Sequence, residues 1–531
     1  MHQASKIMYR HIIAICLAVA SFAAPVRTIA NTIDTTRKDQ YTNAVIPGDF
    51  ADPSIIKVGN TYYATGTSSE WAPHFPLFTS ADLVNWKQVG YVFNKTPAWT
   101  VGSFWAPELY YHNNTFYVYY VARRKSDNQS FIGVATTKDP LKGFTDHGII
   151  IEHGKEAIDA HVLNDNGTLY LTFKAYGLEK RPIEILGCKL TPDGLKRDSD
   201  YFMLLRDEPR KGMEGQVLMK WNNHYYLFYS AGGCCGLRCD YNVRVARAST
   251  IEGPYTNFEE NPILAENETW KCPGHGTFVE VAPNKYFYLY HAYSKKDDVF
   301  TGRQGMLDEL NWKEYTGWPY FTQGKSPSVT NKLPNFAKSQ KLNSNIHDDF
   351  NTAKLALYWQ WDFRHTSPIL NTQKGTLYLA GNTTANNPTG TALTVRPVSG
   401  NYELNTEVVN KNASLKGVTL YGDANQAVGI GIAGDTVQLW EVKDNKRKIL
   451  SHQIVLQSPV RLRMQVEKGY QLRFYWSAEK DQWNELKAGD QLYYDGRHLP
   501  PWDRSPRPGI LQYGDANAPA AFSWFNITYK K

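Results

Sequence analysis

The chain has 531 residues, 42% hydrophobic and 21% charged, an ordinary balance for folded domains at a length too great for one core. Its formal net charge of +7 is small for that length, and no Lys/Arg run marks a nucleic-acid surface. Aromatic residues reach 14%, led by 34 Tyr and 15 Trp, which suits β-strands and also the stacking surfaces of a sugar cleft.

The opening segment, MHQASKIMYRHIIAICLAVASFAAPVRTIAN, sets Lys6 and Arg10 before an apolar run from Ile12 to Ala24, with small residues after it. This three-part layout predicts a secretion signal over residues 1–30, cleaved near Ala24 or Ala30. The run is short for a membrane span, and no later run is long enough to cross a bilayer. Cys16 lies inside the run instead of at its end, which argues against lipidation. An exported protein, periplasmic or extracellular, is expected. Cleavage would leave five cysteines, so at least one is free or pairs between chains.

Five segments then share one pattern. They are DPSIIKVGNTYYATG from Asp52, APELYYHNNTFYVYY from Ala106, DAHVLNDNGTLYLTF from Asp159, EGQVLMKWNNHYYLFY from Glu214 and HGTFVEVAPNKYFYLYH from His275. Each reads as a short apolar strand, a tight turn rich in Asn or Gly, and an aromatic strand. A repeat of about 55 residues made only of strands predicts a five-bladed β-propeller over residues 31–325, with the innermost strand first in each blade. Asp52 precedes a Pro and is expected to be extended at a strand start. Taken blade by blade, Asp52, Asp159 and Glu214 fall at the same place in blades one, three and four, and His275 in blade five. They are expected to converge on one axial pocket. Three carboxylates brought together cost electrostatic energy unless chemistry uses them; carboxylates satisfied by backbone N–H groups are the bland alternative.

AGGCCGLRCDYNV, residues 231–243, follows the aromatic strand of blade four. A zinc reading would join these cysteines to Cys272 and His275, but adjacent Cys chelate poorly. A disulfide-stapled loop fits an exported chain better: Cys234 with Cys235, or Cys235 or Cys239 with Cys272, the connectivity staying open. Residues 326–347 are polar, aperiodic and read as a linker. From 348 to 531, short alternating stretches such as TVQLWEV and VRLRMQVEKG, separated by Gly/Asn/Asp turns, read as a β-sandwich.

The ordered set FADPSI, FWAPEL, IDAHVL, EGQVL and GHGTFV resembles glycoside hydrolase family 43, the five-bladed propeller glycosidases, over residues 40–325. TSADLVNW and GRQGMLDELNW fit the same pattern. The resemblance implies Asp52 as general base, Glu214 as general acid, and Asp159 as the residue that orients the acid and tunes its pKa. Like charge from Asp159 would then keep Glu214 protonated near neutral pH. Arg303 resembles the family arginine that points into the sugar pocket. His275 resembles the axial histidine that supports a bound calcium or water at the propeller centre; a structural histidine is the alternative. Trp71 and Trp105 are candidate stacking platforms, with packing as the alternative for both. The DDF…W-x-W opening of the sandwich resembles the concanavalin-like domain of β-xylosidase-type members, which packs on the propeller and can help close the pocket; as an isolated module it could equally bind carbohydrate. No sugar site is read in it, so structural support is expected.

The function implied is an exported, inverting exo-glycosidase releasing terminal pentose, from β-D-xylosides or α-L-arabinofuranosides of plant cell-wall polysaccharide, with no cofactor needed for the chemistry. A galactose-releasing exo-enzyme, an endo-arabinanase and a non-catalytic carbohydrate-binding propeller are the alternatives. The fructan-cleaving propellers place Asn before their nucleophile, where Ala51 precedes Asp52. They place Arg-Asp-Pro where Ile158-Asp159-Ala160 stands.

Overall fold

The hairpin turns have the backbone their residues favour. Asn113 and Asn114, Asn166 and Gly167, and Asn222 and Asn223 form two-residue loops, every residue at positive φ. Tight hairpins need that conformation, and Asn and Gly adopt it most cheaply. A computed structural model describes residues 39–341, 344–479 and 482–530. The secretion signal expected over 1–30 lies outside the described residues.

Five four-stranded antiparallel sheets follow in chain order over residues 54–93, 100–151, 157–207, 213–257 and 270–321. Their innermost strands are Ser54–Val58, Thr100–His112, Ala157–Asp165, Met213–Trp221 and Trp270–Ala282. The second strands, such as Thr115–Arg124, are buried on both faces, so the alternation of a one-sided sheet is missing. Blades are packed between blades. Five apolar clusters fill the five gaps: Phe75 and Phe104 between blades one and two, Val121 and Phe173 between two and three, Ile185 and Leu227 between three and four, Phe228 and Tyr290 between four and five, and Phe50 and Leu289 between five and one.

Among the described residues, no blade borrows a strand from another. Near the axis, hydrogen bonds run from blade to blade instead. The Thr67 hydroxyl receives the Ala106 N–H at 2.8 Å, Asp159 Oδ2 the Gly215 N–H at 3.0 Å, Ser230 Oγ the His275 N–H at 2.9 Å, and Thr277 Oγ1 the Ile55 N–H at 2.8 Å. His161 and Glu108, 2.7 Å apart, join blades two and three.

The segment expected as a linker is pinned. Thr330–Lys332 pairs with Gln40–Thr42, and Ile346–Asp348 joins the sandwich. Beyond it, a nine-stranded sheet faces a six-stranded one. Here the period-two pattern returns: Tyr402–Val408 and Val460–Glu467 alternate buried and half-buried, with Leu404, Leu462 and Met464 in the core. Propeller and sandwich belong to one unit over 39–531, and Trp71–Ala72 pairs directly with Trp361–Asp362. Among the described residues, no helix is long and apolar enough to cross a membrane.

Trp71 is only 1% exposed and sits under the sandwich, against Tyr421, Trp440 and Leu511, with the Arg507 guanidinium 4.4 Å above its ring. It is a seam residue, not a stacking platform. Trp71→Ala should lower stability by about 3–5 kcal/mol through the cavity it leaves. Chemical denaturation followed by fluorescence and circular dichroism measures this, and a loss under about 1 kcal/mol would mean the seam collapses around the gap.

Candidate active site

A left-handed residue stands at one shared place in or just before the inner strand of each blade: Asp52 at φ 50°, Ala106 at 40°, Asp159 at 61°, Gly215 at 59° and His275 at 36°; blades two and five have a second, Ser103 and Cys272. In blades two to five the ladder skips at the shared place, forming a bulge. A bulge re-aims a side chain, here toward the axis. Two readings change as a result. Asp52 is not extended, because fixed partners override the bias of the following Pro. The blade-four residue at the shared place is Gly215, and Glu214 stands one position earlier. A Cβ on Gly215 would come within 2.7 Å of the His275 ring, so glycine is needed there.

Asp52 is buried and fully engaged. Its Oδ1 accepts from Arg303 Nη1 at 2.9 Å, its Oδ2 from the Thr67 hydroxyl at 2.6 Å, and its backbone N–H donates to His291 Nδ1 at 3.1 Å. Burial pushes the Asp52 carboxyl up, but Arg303, His275 and His291 together hold it well below the usual carboxylate range. Burial also pulls His291 down to about 4, so it is neutral and can accept that N–H.

Glu214 and Asp159 differ from this and from each other. Glu214 Oε2 accepts from Lys174 Nζ at 2.7 Å, and Oε1 from the Tyr241 hydroxyl at 3.1 Å. Burial raises the Glu214 carboxyl, yet the Lys174 ammonium outweighs it and the net shift is downward. Asp159 makes no direct contact with a Lys or Arg. Burial carries it up to about 6, partly offset by His275 and reinforced by Glu214. The like-charge argument has Asp159 lifting Glu214; the structure has the proton favouring Asp159, because Lys174 neutralises Glu214. Lys174 also lies 3.8 Å from Glu156, whose buried Oε2 has no hydrogen-bond partner.

Asp52, Asp159, Glu214, Lys174, Glu156 and His275 line one cavity of about 500 Å³. Arg303 and Trp105 line it as well, and the sandwich contributes Trp502 and Asp503. Asp503 Oδ2 accepts the Trp105 indole N–H at 3.0 Å, and its backbone carbonyl accepts from Arg303 Nη2 at 3.0 Å. The sandwich therefore lines the pocket, as the resemblance implies for such a domain; the residues that do so, in the run LPPWDRSPRP between strands, were not singled out from the sequence.

The cysteines form two bridges, Cys234–Cys235 and Cys239–Cys272, which leaves Cys272 no thiolate for zinc; Cys188 is buried and free. His275 Nδ1 stands 3.4 Å from Asp52 Oδ1 and 3.9 Å from Asp159 Oδ2. The axial cavity beside it, lined by Glu108, His161 and Gln216, holds about 10 Å³, room for one water at most. Among the described residues no three His, Cys, Asp or Glu side chains are arranged to hold a metal. Calcium takes six to eight oxygen ligands, so the residues do not fit an ion held directly by the protein.

Residues 41–319 match the description Glycosyl hydrolases family 43. The chain belongs to that family. Residues 347–503 match the Beta xylosidase C-terminal Concanavalin A-like domain. The extracellular endo-α-(1→5)-L-arabinanase 1 of Bacillus subtilis is 27% identical over 292 residues, 51% of this chain and 87% of the relative. The xylan 1,3-β-xylosidase of a Vibrio species is 26% identical over 346 residues, 59% of this chain and 63% of the relative, so the match spans less than two thirds of that enzyme. In fold, the xylan β-1,4-xylosidase of Bacillus halodurans superposes over 92% of this chain and 100% of its own, with a TM-score of 0.81 at 20% identity. As a family 43 glycoside hydrolase, the protein acts on carbohydrate.

Arg303→Met should raise the Asp52 pKa, because burial then acts with less opposition. Carbon-13 NMR of the Asp carboxyls would show it, and an unmoved Asp52 resonance would mean His275 and His291 suffice.

Proposed function

We propose that this family 43 protein is an exported, inverting exo-glycosidase that releases terminal pentose from β-D-xylosides or α-L-arabinofuranosides. The observation that carries this reading is the unequal treatment of the pocket carboxylates. Asp52 is locked ionised against Arg303, while burial raises Asp159 to about 6 and Lys174 holds Glu214 down. Inversion needs one ionised carboxylate and one protonated carboxyl, set roughly 6.5–9.5 Å apart to admit a water. Asp52 on blade one is the general base, taking a proton from that water while Thr67 and Arg303 fix its orientation. Glu214 on blade four is the general acid. It gives its proton to the leaving oxygen; Tyr241 holds its side chain, and Asp159 fixes the backbone N–H of the next residue, Gly215. The resting contact with Lys174 opposes that role. A bound leaving group that turns Lys174 away from Oε2 would let the proton pass to Glu214.

Exo action is supported by Trp502 and Asp503, which wall the pocket from the sandwich side. Pentoside substrates are supported by the names of the arabinanase and xylosidase relatives. Export is supported by the extracellular designation of the arabinanase, by the two disulfides and by the N-terminal pattern.

Glu214→Ala should lower kcat by about 10²–10⁴-fold on substrates with poor leaving groups. Aryl glycosides with good leaving groups should lose far less; equal loss on both would remove Glu214 from the acid role. Proton NMR of the first-formed sugar should show the inverted anomer, and a retained one would make Asp52 a nucleophile.

Lys174→Met should move the basic limb of the pH–kcat/KM profile to higher pH. Lys174 lowers both Glu214 and Asp159, so without it the required proton is kept to higher pH. A limb that stays in place would exclude Lys174 from the proton balance.

A further inference from the structure

The Cys234–Cys235 bridge has no part in the chemistry above, yet it lines the catalytic cavity. Its position follows from the acid. Glu214 pairs across the sheet with Ser230, and the chain leaves that strand at Ala231 into the loop that carries the bridge. Asp240 Oδ1 accepts the Gly233 N–H at 2.6 Å, and the Gly212 carbonyl accepts the Gly232 N–H at 3.2 Å. Cys239–Cys272 ties the far end to Trp270–Ala282, the strand that bears His275. The loop is thus fastened at both ends to strands that carry site residues.

A bridge between adjacent residues closes a small, stiff ring whose outer surface is polarisable sulfur. Trp502 also lines this cavity, 64% exposed as a residue and with its ring edge-on to that of Trp105 at 6.4 Å. Cys235 and Trp502 line a second cavity too, of about 350 Å³, together with Leu237, Pro500 and Pro501. They form the sill between the two spaces. An acid must face the leaving oxygen, so the ring beyond the cleaved bond lies on the Glu214 side, where this loop begins. The C–H face of a sugar ring is apolar and suits sulfur and indole surfaces that make no hydrogen-bonding demand.

We propose that the Cys234–Cys235 bridge and Trp502 form the subsite for the sugar on the leaving side of the cleaved bond, with a longer leaving chain continuing into the second cavity. This deepens the exo-pentosidase reading and rests on it. The substrate class is therefore an oligosaccharide in preference to a simple glycoside.

The test compares kcat/KM on the glycosyl fluoride, disaccharide and trisaccharide of the accepted pentose. Fluoride fills no leaving-side subsite. In the wild type, kcat/KM should rise from disaccharide to trisaccharide. The double variant Cys234→Ser/Cys235→Ser, and separately Trp502→Ala, should each lower the disaccharide-to-fluoride ratio about tenfold, mainly through KM. Trp502→Ala keeps both bridges and carries the test if the cysteine variant fails to fold. An unchanged ratio, or parallel losses on fluoride and disaccharide, would overturn the subsite. A wild type inactive on every pentosyl substrate would instead overturn the exo-pentosidase reading beneath it.

Discussion

The site depends on a backbone conformation that most residues avoid. A left-handed residue at the shared place of each blade's inner strand costs about 1–3 kcal/mol when it is not glycine, and Asp52, Ala106, Asp159 and His275 all adopt it. Such a conformation persists only where the surroundings over-determine it. Here the surroundings are the axial hydrogen bonds that link each blade to the next. Gly215 N–H holds Asp159, and Ser230 holds the His275 N–H. The bonds that close the ring are therefore the same ones that aim its side chains. Loosening one blade would misplace a functional group on its neighbour.

On this frame, the assignment of cations decides the protonation of the carboxylates. Asp52 has Arg303 and Glu214 has Lys174, each as a direct partner, and Asp159 has neither. Burial raises all three, so the one without a direct cation is the one that keeps a proton toward neutral pH. Buried ion pairs are weak sources of stability, because desolvation consumes most of the attraction. Removing one partner is costly for the same reason. The pairs are thus better understood as devices that fix charge than as supports of the fold.

Much of this could be read from the sequence, for identifiable reasons. Tight Asn/Gly turns and aromatic second strands recur wherever a blade must fold back, so the blade count and the positions of Asp52, Asp159 and His275 were legible. Blade four slipped by one residue because a charged residue was matched to charged residues, whereas the backbone matches Gly215. Lys174 was invisible: in LTFKAYG it looks like an ordinary strand lysine, and only the doubly buried second strand makes it a partner for Glu214. Trp71 and Trp105 look alike in sequence. Which one faces the pocket is decided by where the sandwich lands, and that depends on contacts hundreds of residues apart.

That landing also ties the C-terminal domain to the pocket. Asp503 meets Trp105 through its carboxylate and Arg303 through its carbonyl, so two pocket residues take their positions from the sandwich. Its neighbour Arg504 is buried 2.7 Å from Asp503, in the field of Glu70 on blade one and Asp362 on the sandwich. The seam is thus stitched by charge at the pocket and by Trp71 away from it. Arg303 is shared: one amino group holds Asp52 and the other reaches the sandwich backbone. A displacement of the sandwich would therefore be felt at Asp52 through a single guanidinium. Asp52 is held by both domains, so the pocket is built by the propeller and the sandwich together.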